Sequence, residues 1–150
     1  MTLTLSNLEE DQNILVDNFK KGEFLKCVDL AENFVKKYPH KGDGFNILAL
    51  SYKAVGRTEE AIKIFLFLIE KLPKLIAYKI NLGNLYLNSG KLSEAKEIFL
   101  EILKLHPKNE NVLCSMGSIY LQEKQENTAK KTYETDAGLD PAHNNETDIT

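Results

Sequence analysis

Four prolines, Pro39, Pro73, Pro107 and Pro141, stand 34 residues apart, and the chain has no others. Proline lacks the backbone N–H and clashes with the preceding turn, so it cannot continue a helix interior. Each therefore marks a helix exit, and their even spacing announces an internal repeat, the feature that most narrows a fold. Residues 8–41, 42–75, 76–109 and 110–143 align on these prolines without an insertion or deletion.

The units share an internal pattern. The second carries Phe45, Leu48-Ala49, Tyr52, Gly56, Ala61, Phe65 and Pro73. The third carries Leu82-Gly83, Tyr86, Gly90, Ala95, Phe99 and Pro107, and the fourth Met116-Gly117, Tyr120, Ala129, Tyr133 and Pro141. The first is looser and keeps Ile14, Gly22, Cys27, Phe34 and Pro39. This pattern resembles the tetratricopeptide repeat, which has the same length and order of Leu-Gly, Tyr, Ala, aromatic and Pro. The resemblance covers residues 8–141. It implies an all-α, right-handed α-solenoid of antiparallel helix pairs with four 34-residue repeats, preceded by a lead at 1–7 and followed by a flexible polar tail at 142–150.

The residues support helix pairs on their own terms. Ile98, Phe99, Ile102, Leu103 and Leu105 recur at helical spacing. Gly22, Gly56 and Gly90 fall between such stretches, where a helix stops on a residue tolerant of positive φ. In the second repeat this places helix A near 42–55 and helix B near 58–71. Thr58, Ser93 and Asn127 are expected as N-caps, with Glu59, Glu60 and Glu94 in the first turns. Small Ala49, Gly83 and Gly117 are expected to face small Ala61, Ala95 and Ala129. The first repeat has a bulky Leu15 there, and Ala31 stands where later repeats carry Phe65, Phe99 and Tyr133, so a size exchange is expected.

Composition excludes several functions. With 150 residues, 43% hydrophobic and 27% charged, the chain suits a single soluble solenoid domain. A net charge of −3 argues against a general nucleic-acid binder, which needs a basic face. The longest apolar run, Ile64 to Ile69, is far short of a membrane span, so no membrane insertion is expected. Residues 1–8 lack the charge and apolar core of a secretory signal, and a cytoplasmic location is expected. Cys27 sits at the small-residue position and reads as a buried small hydrophobe; Cys114 lies 87 residues away, too far along an extended stack for a disulfide. Thr132 and Asp136 replace Ile98 and Ile102, which suits the polar outer face of a last repeat. Glu9, Glu10, Asp11 and Asp17 are expected on the outer face of the first helix.

Chemistry-bearing constellations are missing. His40, His106 and His143 all lie within two residues of a repeat proline, without metal-pair spacing or a Cys-x-x-Cys. Phosphate loops and nucleophile elbows are absent from the sequence, and the sequon at Asn145 is read as chance. The chain is therefore expected to be non-enzymatic and to need no cofactor.

The resemblance implies instead a concave groove lined by the A helices. Its candidate residues are Asn13, Val16 and Phe19 in the first repeat, and Asn46, Leu50 and Lys53 in the second. Asn81, Asn84, Leu87 and Asn88 follow in the third, and Asn111, Ser115, Ser118 and Gln122 in the fourth. An asparagine offers both donor and acceptor and can pair with a peptide backbone. The row is similar to the asparagine ladder of protein O-linked sugar transferases, interrupted here by Ile47 and Ser115. A chain rich in Lys, Asn and Ile also gives such a row by composition alone. The carboxylate clamp of chaperone-tail receptors is missing in both frames. One places Gln12, Val16, Ile47, Ala77 and Asn81 at the clamp positions, the other Asn46, Leu50, Asn81, Asn111 and Ser115, with no cation in either. The expected function is a protein–protein interaction scaffold binding a peptide of a partner protein, as a monomer. The alternatives are an accessory domain of a larger glycosyl- or sulfo-transferase and a self-associating scaffold.

Overall fold

A computed structural model describes the backbone of residues 2–136, with side chains for 7–132 and 134. Seven helices and no strand occur among the described residues: α1 (Thr2–Lys20), α2 (Phe24–Lys37), α3 (Gly42–Ala54), α4 (Thr58–Lys71), α5 (Ile76–Asn88), α6 (Leu92–Leu105) and α7 (Glu110–Asp136). The fold is an all-α repeat solenoid. Two units divide at Pro107, the first holding α1–α6 and the second α7. The expected tail at 142–150, with His143 and Asn145, and the last proline, Pro141, lie outside the described residues. The expected lead does not stand apart, since α1 already begins at Thr2.

In the first unit each repeat is a helical hairpin: α1 packs on α2, α3 on α4 and α5 on α6, while α2–α3 and α4–α5 join successive repeats. The turn glycines Gly22, Gly56 and Gly90 have φ of 76°, 83° and 77°, the left-handed stop that a side chain disfavours. Before each loop proline the chain leaves the B helix through Tyr38, Leu72 or His106. Their N–H groups donate to the carbonyls of Phe34, Leu68 and Ile102, each at 2.8 Å, which closes the last turn. Ala61, Ala95, Phe65 and Phe99 are fully buried, as the repeat pattern requires. Leu15 and Ala31 are both buried in the same core cluster, consistent with a large-for-small exchange.

Three local expectations are corrected and one is sharpened. Thr58 is the first helical residue of α4 and Ser93 the second of α6; the cap positions are Arg57 and Lys91, with no side-chain cap bond. The space at Gly83 is filled by the Phe99 ring: a Cβ on Gly83 would lie 2.5 Å from Phe99 Cε1. Asp11 does not sit on an outer face, because its carboxylate accepts from Lys37 Nζ at 2.6 Å and from the Tyr38 hydroxyl at 2.8 Å, tying α1 to α2. The fourth repeat is not a hairpin. Residues 110–136 run as one helix, so Asn127 lies in mid-helix and Gly117 and Ala129 do not face each other.

The cause is legible in the register. Lys124 stands 34 residues after Gly90, and the residues from Gln122 to Lys131 include no glycine or proline. With no glycine at the left-handed stop, the helix continues. Asn109 starts it, accepting the Val112 N–H at 3.1 Å as an N-cap. Val112, Met116 and Ile119 are buried, whereas from Tyr120 to Thr132 only Glu123 is even half-buried.

Candidate functional site

The A helices of the first unit, α1, α3 and α5, position most of the candidate groove residues. Stopping each A helix at a glycine and returning along a B helix puts the small and aromatic positions inside, leaving the alternate A-helix face outward. Val16, Phe19, Asn46, Leu50, Lys53, Asn81, Asn84 and Leu87 are half-buried there, and Asn13 and Asn88 are exposed. α1 touches α3. Asn81 Nδ2 donates to Asn46 Oδ1 across a long 3.5 Å contact, which links α5 to α3. Phe19 stacks edge-on against Phe24 at 5.5 Å, so part of its ring serves the first hairpin. On α7, Asn111, Ser118 and Gln122 are exposed and Ser115 is half-buried; these four belong to the second unit.

The face is apolar and amide-rich, with few charges. Among the expected site residues Lys53 is the one cation, and no carboxylate is among them. Such a surface pairs with uncharged peptide groups better than with a terminal carboxylate, which needs cationic donors.

Pattern reading missed a polar cluster between α2 and α3. The Tyr52 hydroxyl donates to Glu32 Oε1 at 2.6 Å, joining the first repeat to the second. The Arg57 guanidinium stacks over the Tyr52 ring at 4.4 Å and also pairs with Glu60 at 3.1 Å. Burial, reinforced by the bond to Glu32, pushes the Tyr52 phenol up to about 12. Ser51, fully buried, donates to the Ile47 carbonyl, and Asn18 does the same to Ile14. Burial and the Glu23 charge push the Cys27 thiol up, which leaves it an inert core residue. None of these has a periodic signature: the Tyr52–Glu32 bond depends on the partner the neighbouring repeat supplies, and the Ser51, Asn18 and Arg57 contacts are local to their own helix or turn.

A second feature lies between α4, α5 and α6. A cleft of about 290 Å³ is floored by Leu66, Ile69, Leu82 and Ile98 and edged by Glu94, Glu97, Glu101 and Lys79. Glu94 reads in sequence only as a first-turn acid; its spacing to Glu97 and Glu101 was the available signal for an acidic edge.

No helix among the described residues is long and apolar enough to cross a membrane. With stacked helical hairpins and no strand, the first unit has the architecture of a helical repeat protein. The tetratricopeptide repeat family model matches residues 76–109 and 110–143. Residues 76–143 thus match two successive tetratricopeptide repeats. No curated protein matches its sequence. Among solved structures it is similar to the second TPR domain of human RPAP3 in complex with an HSP70 peptide. That likeness has 21% identity and a TM-score of 0.65, covering 73% of this chain and 92% of that one. The first TPR of Spaghetti (RPAP3), bound to the HSP90 peptide SRMEEVD, is 16% identical with a TM-score of 0.69, covering 78% and 93%. The Sgt2 TPR domain of Aspergillus fumigatus is 15% identical with a TM-score of 0.69, covering 81% and 82%. At these identities the likenesses establish the fold.

Proposed function

We propose that the chain is a non-catalytic interaction module that holds a peptide segment of a partner protein on the face of α1, α3 and α5. The observation that carries this reading is the half-buried row of Asn46, Asn81 and Asn84 beside Leu50 and Leu87. Amides there can bond a peptide backbone while the leucines take its apolar side chains. That two TPR domains of similar fold hold chaperone peptides supports a peptide as the ligand class. The lack of cations at the clamp positions favours an internal segment over a chain terminus. The reading needs no cofactor, and a cytoplasmic setting belongs to it.

Affinity capture from the soluble lysate of the source organism tests it, comparing wild type with Asn81→Glu/Asn84→Glu. A protein retained by wild type and lost by the double variant, with helicity unchanged, supports the reading. Equal retention by both removes the site from this face.

A further inference from the structure

The repeat register assigns a helix to cover α6, and the residues it assigns continue α7. On α4, Leu66 and Ile69 line a cleft with Ile98 of α6, the next B helix. One register later α6 presents Leu100 and Leu103 at the same two positions. Here an open depression of about 600 Å³ is lined by Glu97, Leu100, Glu101, Leu103 and Lys104, and Leu100 is 43% exposed.

The segment that the register assigns to this place begins at residue 126, and it continues α7 instead. Two observations show that its hairpin contacts are unmade. Ala129 is exposed, whereas Ala61 and Ala95 at the same register are fully buried. A Cβ on Gly117 would meet nothing within 4 Å, whereas Gly83 one register earlier is filled by Phe99. Tyr133, which holds the register of Phe99, is 16 residues from Gly117 on the same helix, about 24 Å along its axis. One straight helix cannot supply both halves of a hairpin.

Register, with one local charge match, says which helix suits the α6 surface. Glu97 and Glu101 edge it, Glu101 already paired with Lys79 at 2.9 Å, and residues 126–136 bring Lys130 and Lys131 alongside Glu126, Glu134 and Asp136. Lys131 takes the register of Glu97, so the fourth-repeat segment sets a cation where another copy of α6 would set a carboxylate.

We propose that the Leu100–Leu103 face of α6 is a docking site for residues 126–136 of a second copy of this chain, completing the fourth repeat by exchange. Swapping an identical element is a low-cost route to association, because the contacts are already encoded. This proposal is independent of the peptide-binding reading.

Light scattering on size-separated protein, from low-micromolar to sub-millimolar concentration, tests it. The mass of wild type should rise with concentration above the 17.0 kDa of one chain. Leu100→Asp should hold it at one chain with helicity unchanged. Lys124→Gly, which restores a glycine at the turn register, should also give one chain, by letting the segment fold back on itself. A wild type that stays at one chain throughout overturns the proposal. So does an oligomer that both variants leave intact.

Discussion

Phe99 occupies the notch at Gly83 so closely that a Cβ there would lie 2.5 Å from the ring. The first and second repeats meet in the same manner, with Phe34 against Gly44 at the same distance. At Gly117 the notch is vacant. Gly83→Ala should therefore destabilise the fold by about 1–3 kcal/mol through overpacking. Gly117→Ala should be neutral or stabilise by up to about 1 kcal/mol through helix propensity. Urea unfolding of both variants checks the contrast, and similar losses at the two sites would contradict it.

Tyr52 gives the fold an alkaline limit. Its phenol is held protonated by burial and by donation to Glu32, so its folded pKa, about 12, exceeds the unfolded value of about 10. That contribution is fully present below about pH 10 and is lost as pH rises through about 12. Tyr52→Phe should cost about 1 kcal/mol at neutral pH and flatten the alkaline fall. Thermal melts across that range read out both effects.

At the acid end, Asp11 behaves oppositely. The Lys37 ammonium, and after it the Tyr38 hydroxyl, hold its carboxyl below the usual carboxylate range. A depressed folded pKa stabilises above the unfolded value, about 3.9, and the benefit vanishes as pH falls through the folded value. Amides of α1 should exchange faster as pH drops through this window, after correction for intrinsic rates. Asp11→Asn should remove that pH-dependent step, and an unchanged profile would show that the contact does not hold α1.

The clamp positions give a negative prediction about ligands. The peptide SRMEEVD, bound by the similar TPR of Spaghetti, should bind this chain at least tenfold more weakly than it binds that domain. Fluorescence anisotropy with the labelled peptide measures this, and equal affinity would mean that cations elsewhere, such as Lys53, grip the terminus.

Much of the fold was legible because its determinants repeat. The proline exits and glycine stops place α3 at Gly42–Ala54 and α4 at Thr58–Lys71, close to the bounds expected from sequence. The N-caps were misread because capping depends on local backbone geometry that composition does not fix. The fourth repeat was misread because aligned prolines and alanines outweighed one absent glycine, yet Lys124 decides whether the helix turns. For the candidate site, register places residues on the A helices, and the structure adds one contact between them, Asn81 with Asn46. The amide contact between Asn46 and Asn81 and the link from Tyr52 to Glu32 were not legible, because they join side chains from different repeats at distances that only the packing sets.

The unbroken 34-residue period has a mechanical consequence. In a stack where each hairpin leans only on its neighbours, a pull on the two ends peels units from the termini inward. Each released unit would add up to about 110–120 Å of contour, because every unit holds the same length of chain. The force–extension trace of the α1–α6 unit would then be a series of equal steps.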